Sequence, residues 1–179
     1  MDSFSKTSEY KSAKYLRLVV ALFFIWYFMS SALDPESWHF IDNVDLIFHE
    51  AGHWIFMFFG DLITALGGTI NQLLIPFVLA GYFFIKRELF SSMILLMWFG
   101  YNFVNVSVYM ADAVVMQLPL LGGDNVGHDW NNIFWTLGLL EHTQLLAMIT
   151  RTIGIFIIIT GAVLAVKYAL EEKKKSLSY

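Results

Sequence analysis

The sequence predicts an all-α, polytopic integral membrane helix bundle that forms a single domain over residues 1–179. Of the 179 residues, 58% are hydrophobic and only 15% are charged, whereas soluble domains average about 25% charged residues. Four long segments carry no Asp, Glu, Lys or Arg, and roughly 20 apolar residues are enough for a helix to cross a membrane. We therefore expect about four full spans plus one short tilted or re-entrant helix.

The candidate spans are the uncharged segments, taken in chain order: 18–33, 62–85, 89–111 and 152–166. The second and third are long enough to cross alone, whereas the first and last need flanking residues. We expect the first to be an uncleaved span rather than a signal peptide. A further apolar run, 46–60, is interrupted by two histidines and a glutamate. Re-entrant backbone is tolerated in a membrane only where protein or water lines it, so a short helix here indicates a cavity.

The basic residues predict the orientation. The eleven Lys and Arg residues fall in the tails 1–17 and 167–179, at 86–87 and at Arg151, and the acidic loops 34–48 and 118–144 have none. Cytoplasmic loops carry an excess of Lys and Arg. We therefore expect two cytoplasmic tails, with both acidic loops on the opposite side and one net crossing by residues 46–85. In the alternative topology, 46–60 and 62–85 both span and the C-terminal lysines lie outside.

The composition excludes several classes of function. A net charge of −4 argues against a nucleic-acid partner, and the abundant apolar residues argue against disorder. The chain contains no cysteine, which removes disulfide scaffolds, thiol catalysis and sites with cysteine ligands. The expected partners are the lipid bilayer and a membrane-protein or peptide substrate.

The motif that indicates chemistry is HEAGH at residues 49–53, an HExxH sequence. On a helix, positions i and i+4 share one face, so His49 and His53 can bind one metal ion while Glu50 reaches its bound water. Ionisable and polar residues are costly when they face hydrocarbon, so within a membrane they line a functional interior by default.

In this apolar setting the motif resembles that of membrane-embedded zinc metalloproteases of the site-2 protease type. The resemblance covers residues 49–53, their apolar surroundings and the multi-span layout. It implies Zn²⁺ held by His49 and His53, Glu50 as general base, and a third ligand, normally an Asp, from a later membrane helix. The Asp-Gly motif that usually supplies this ligand, in an LDG or NPDG context, is absent from the chain.

The third ligand is therefore open. His128 is the first choice because it follows the Gly-rich turn 122–127 in the second acidic loop, which we place on the same side as the HExxH helix. Asp129 is either a ligand itself or the carboxylate that a metal-bound histidine commonly needs behind it. In the alternative interpretation, His128, Asp129 and Trp130 only cap a helix that begins there.

Asp112 competes with His128 for the same role. It shares one helix face with three other polar residues, Asn102, Asn105 and Tyr109. Polar stripes in membrane helices usually face the bundle interior, and Asn71 and Gln72 of the preceding span are candidate partners. Gly67 and Gly68 in that span favour a close approach of two helices.

We expect a zinc-dependent intramembrane endopeptidase in which Glu50 activates a metal-bound water and Asn102 or Asn105 donates a hydrogen bond to the oxyanion. The alternatives are a metal-dependent hydrolase of lipid amides or esters and a non-catalytic metal-binding scaffold. We place the site towards the non-cytoplasmic face of a multi-pass membrane protein.

Overall fold

The computed structural model describes residues 2–119, 121 and 127–171, which form six α-helices and no strand. The α-helices are α1 (Asp2–Leu33), α2 (Phe40–Phe56), α3 (Asp61–Ile85), α4 (Leu89–Ala111), α5 (Asp129–Leu137) and α6 (Thr143–Leu170), with single 3₁₀ turns at Met57–Phe59 and Leu140–His142. The all-α prediction is confirmed. The Gly-rich residues 122–126 of the predicted turn lie outside the described residues, as does the end of the C-terminal tail, 172–179.

Four segments within the described residues are long and apolar enough to cross a membrane. They are Ser12–Leu33, Asp61–Ile85, Leu89–Ala111 and Leu140–Leu170. This confirms the four predicted spans by length and composition, and it fits a multi-pass membrane protein. Both predicted tails are partly helical, because α1 begins at Asp2 and α6 continues to Leu170.

The last span, α6, runs antiparallel to both α1 and α4. Arg151, near the start of α6, donates a hydrogen bond to the carbonyl oxygen of Ala32 at the end of α1 (3.2 Å). Along α4 and α6, Gly100 lies against Gly154 and Met97 lies against Gly161, so the two helices run in opposite directions. The start of α1, the turn between α3 and α4, and the end of α6 therefore share one end of the bundle. Among the described residues, this end carries the basic residues at the start of α1 and at 86–87, and Lys167 near the end of α6.

Two apolar cores join the helices. The first lies between α1, α4 and α6, where Met97, Tyr101 and Ile158 are almost completely buried. The second lies at the other end of the bundle, where Ile133 and Phe134 of α5 pack with residues of α3, α4 and α6. Burying one apolar face of this short helix fixes its position against the larger spans.

The short helix α2 forms an antiparallel hairpin with α3. Asn71 of α3 donates a hydrogen bond to the Phe48 carbonyl oxygen (2.7 Å), and Gly52 lies directly against the Gly67 backbone. The predicted close approach at the glycine pair is confirmed. Gly60, with φ of +90°, separates the 3₁₀ turn from α3. α2 has 17 residues, a length of about 25 Å, and its re-entry into the membrane stays a prediction.

The crossing of α4 and α6 depends on the absence of a side chain at Gly154. A Cβ atom there would lie 2.6 Å from the Gly100 carbonyl oxygen, and backbone cannot move aside as a flexible side chain can. We expect Gly154→Ala to lower the melting temperature in detergent micelles, with a cost of about 1–3 kcal/mol in folding free energy.

Gly81→Ala is the matched control, because no atom lies within 4 Å of a Cβ at that position in α3. Replacing glycine by alanine in an unobstructed helix interior stabilises a protein by about 0.5–1 kcal/mol. Equal melting temperatures for the two variants would contradict the close packing of α4 and α6.

Candidate metal centre

Three side chains from two distant parts of the chain converge on one point. Asp129 Oδ2 lies 3.1 Å from His49 Nε2 and 3.3 Å from His53 Nε2, and the candidate ligand atoms of the three residues all lie within 4.8 Å of one another. In a tetrahedral zinc site with ligands at about 2.0–2.2 Å, neighbouring ligand atoms are about 3.3–3.6 Å apart. The group could therefore hold a metal ion with little rearrangement.

The far side of each imidazole is hydrogen-bonded to an oxygen atom. His49 Nδ1 lies 3.0 Å from Gln72 Oε1, and His53 Nδ1 lies 2.8 Å from the Thr64 carbonyl oxygen. A carbonyl oxygen only accepts hydrogen bonds, so Nδ1 of His53 carries a proton. In a neutral imidazole this leaves the Nε2 lone pair free, which is the arrangement that metal-binding histidines adopt.

The Nε2 atoms therefore point at a carboxylate oxygen that also has only lone pairs to offer. Two acceptor atoms at hydrogen-bond distance repel each other unless a positive charge lies between them. A proton on the imidazole or a metal ion would supply that charge. The chemistry of this donor set fits a divalent cation, since two imidazoles and a carboxylate are common zinc ligands.

Asp129, the first residue of α5, is held in place by Tyr109 of α4. The Tyr109 hydroxyl donates to Asp129 Oδ2 (3.3 Å) and accepts a hydrogen bond from the Asp129 backbone N–H (3.2 Å). Burial raises the pKa of Asp129, but the imidazoles of His49 and His53 beside it outweigh burial and bring this pKa down to about 2. The side chain is therefore a carboxylate at neutral pH.

The structure brings Asp129 to the two histidines in place of His128, our first choice for the third ligand. His128 caps α5, because its Nδ1 accepts a hydrogen bond from the Asn131 backbone N–H (3.2 Å). Its Nε2 lies 3.3 Å from Asp112 Oδ2. Burial lowers the pKa of His128, and the hydrogen bond to Asp112 only partly opposes this effect. Both ring nitrogens have partners, and adjacent residues at a helix start point in different directions.

Asp112 is likewise absent from the group of three. Besides His128, it accepts hydrogen bonds from the backbone N–H groups of Gln117 (2.9 Å) and Leu118 (3.0 Å). Its carboxylate therefore holds the segment that follows α4 and also binds His128, the residue before Asp129. His128 caps α5, as the alternative interpretation expected, while Asp129 contacts the two histidines, so the pair does more than cap a helix.

The group lies in the wall of a cavity of about 940 Å³, a size suited to a ligand or a short peptide segment. Glu50 lines the same cavity and is half-buried. No hydrogen bond to its carboxylate occurs among the described residues. Segments around Trp38 and Leu118 form further parts of the wall. The cavity lies near the first turns of α3 and the end of α4, away from the basic end of the bundle.

The two asparagines expected near an oxyanion have different positions. Asn105 lines the cavity, but its Nδ2 donates to Asp42 (3.0 Å) and its Oδ1 accepts from Gln72 (2.9 Å). Asn102 is fully buried, donates to the Trp98 carbonyl oxygen and does not line the cavity. The structure therefore does not bring Asn102 to the site.

Sequence reasoning missed two members of the site. The Thr64 carbonyl oxygen has no signature in the sequence, because any residue at that position supplies one. Asp42 is one of several acidic residues in the segment that the sequence predicts to be a loop, 34–48, and only its contacts distinguish it. Gln72 was identified as a candidate partner, and it contacts both Asn105 and His49.

No family model, curated protein or solved structure matches the chain. The resemblance to site-2 proteases therefore stays a prediction that rests on the HExxH motif and its surroundings.

We expect purified protein to bind one equivalent of Zn²⁺ and Asp129→Ala to weaken that binding by more than about 100-fold. Losing even a hydrogen-bond partner behind a metal ligand costs about 10–100-fold, and this variant removes one of the three candidate ligands. Isothermal titration in detergent measures the effect. Asp34→Ala is the control, because Asp34 is exposed and does not line the cavity.

His128→Gln distinguishes the two candidate ligands. Because His128 contacts Asp112 rather than the two histidines, this variant should still bind one equivalent. Loss of zinc binding in His128→Gln together with full retention in Asp129→Ala would contradict the assignment.

Proposed function

We propose that this protein is a zinc-dependent intramembrane endopeptidase that hydrolyses peptide bonds of membrane-protein substrates. The observation that carries the proposal is the convergence of two imidazole Nε2 atoms and one carboxylate beside a glutamate, all in one cavity wall. The HExxH order of His49, Glu50 and His53 on a single helix supports the same assignment.

The number of ligands supports a catalytic site over a structural one. Structural zinc sites have four protein ligands, whereas catalytic sites have three and leave one position open. Among the described residues, His49, His53 and Asp129 form a group of three, and all three line the cavity. The open position would face the space that a substrate enters. This favours an enzyme over a metal-binding scaffold.

A bound zinc ion supplies polarisation of the scissile carbonyl and a more acidic water. Glu50 accepts the proton of the attacking water at its carboxylate and returns it to the leaving nitrogen atom as the peptide bond breaks. The absence of a competing hydrogen bond among the described residues leaves both carboxylate oxygens available. His49, His53 and Asp129 orient this chemistry from one side of the cavity.

The position of the cavity indicates how the site faces the membrane. The basic segments share one end of the bundle, and the positive-inside rule favours a cytoplasmic location for that end. The cavity lies at the first turns of α3, near the opposite end. Water therefore reaches Glu50 from the non-cytoplasmic side, through the acidic segments that line the cavity.

Glu50→Gln should still bind zinc but lose peptide hydrolysis by about 10²–10⁴-fold, the usual contribution of a general base. Purified protein in liposomes is incubated with a library of apolar peptides, and cleavage is detected by mass spectrometry. Glu141→Gln is the matched control, since Glu141 is exposed and lies outside the cavity lining.

Undiminished cleavage by Glu50→Gln would contradict the proposed mechanism. The same preparations are assayed with lipid amides and esters. Turnover of these lipids with no cleavage of any peptide would assign the site to the lipid hydrolase considered above.

The natural absence of cysteine allows a direct test of orientation. We expect a cysteine introduced at Ser3 or Glu88 to react with a membrane-impermeant maleimide only from the cytoplasmic side. A cysteine at Ser37, which lines the cavity, should react from the other side. Labelling of all three positions from one side would overturn the proposed topology.

A further inference from the structure

A continuous chain of four polar side chains connects the first turn of α2 to the metal-facing histidine two turns later. Asn105 Nδ2 donates to Asp42 Oδ1 (3.0 Å), Gln72 Nε2 donates to Asn105 Oδ1 (2.9 Å), and Gln72 Oε1 lies 3.0 Å from His49 Nδ1. The chain leaves α2, crosses α4 and α3, and returns to α2. Asp42, Gln72 and His49 are each more than nine-tenths buried.

The direction of every hydrogen bond in this chain is set by Asp42. Its carboxylate accepts hydrogen bonds from the His39 backbone N–H (2.6 Å) and the Tyr101 hydroxyl (2.7 Å) as well as from Asn105. A carboxylate has no proton to donate, so Asn105 must turn its NH₂ group towards Asp42. Its oxygen then faces Gln72, which must turn its own NH₂ group towards Asn105.

The last step of the chain reaches the metal site. With its NH₂ group committed to Asn105, Gln72 presents only an oxygen to His49, and Nδ1 of His49 must donate to it. A free glutamine could rotate its amide by half a turn and donate to Nδ1 instead. The histidine proton would then move to Nε2, the atom that faces Asp129.

We propose that Gln72 and Asn105 are positioning residues through which Asp42 holds His49 in the tautomer that keeps Nε2 free for the metal. This inference rests on the metal site of the proposed function. It states that residues of three helices, α2, α3 and α4, together orient one ligand of that site. His53 needs no such chain, because its partner, the carbonyl oxygen of Thr64, can only accept a hydrogen bond.

The first test removes the polar link and measures zinc affinity. Gln72→Met keeps the length of the side chain without its amide, and we expect zinc to bind 10–100-fold more weakly, about the effect of losing a partner behind a ligand. Thr69→Val is the control, since Thr69 is equally buried in α3 and has no hydrogen-bond partner for its hydroxyl among the described residues.

Two readouts separate positioning from general damage. The helical circular dichroism of Gln72→Met should match that of the wild type, and the visible spectrum of the Co²⁺-substituted protein should change because the His49 ligand is no longer held. Wild-type zinc affinity in Gln72→Met would overturn the inference while leaving the metal site and the peptidase proposal intact.

The second test reverses the chain in metal-free protein. Gln72→Glu places an acceptor oxygen opposite the Asn105 oxygen. Asp42→Asn places an NH₂ group opposite one of the donors that Asp42 now accepts from, the His39 N–H or the Asn105 NH₂ group. Each single variant should lower the melting temperature. In the double variant, Asn105 can turn round, accept from the new asparagine and donate to the new glutamate, with no change in net charge.

We expect the double variant to melt above both single variants, and its zinc affinity to lie within about twofold of the wild type, the usual error of additive effects. If the double variant loses as much melting temperature as the two single variants together, the inference that the hydrogen bonds run in one fixed direction is wrong. Because melting is measured without metal and without substrate, this result is independent of whether the protein hydrolyses peptides.

Discussion

The candidate metal centre depends on how closely α2 approaches α3. Gly52 lies against the backbone of Gly67, and a Cβ at Gly68 would overlap the His49 imidazole. Only helices without side chains at these positions come near enough for the Thr64 carbonyl oxygen and the Gln72 amide to reach the two histidines. A wider spacing would leave the imidazoles without partners on their Nδ1 side.

Burial makes these partners necessary. An unpaired polar group away from water costs about 1–3 kcal/mol, and the cost rises for groups inside a membrane. Around the two histidines, the described residues meet this demand with short polar chains that pass between helices, such as the one through Asn105. Elsewhere four buried side-chain atoms, including the Thr69 hydroxyl, have no partner among the described residues. The same contacts that satisfy buried groups also orient the imidazoles, so stability and the geometry of the site have one physical origin.

The carboxylate that completes the group is supported from a different part of the fold. Tyr109 and the Asp112–His128 pair connect the end of α4 to the start of α5, while Ile133 and Phe134 bury the other side of α5. Asp129 is therefore held between a polar anchor and an apolar core. This arrangement brings its carboxylate to α2 although 76 residues separate it from His53 in the sequence.

The sequence alone determined the helical class, the four spans and the motif with its two histidines and glutamate, because hydropathy and the i, i+4 spacing are local properties. It also identified Asp129 and Asp112 as candidates, but it ranked His128 above them, whereas the structure brings Asp129 to the two histidines. That choice depends on where α5 begins and which side chain of its first turn faces α2. The tertiary structure also decided the direction of the polar chain through Gln72, since an amide has no preferred orientation until its neighbours are known.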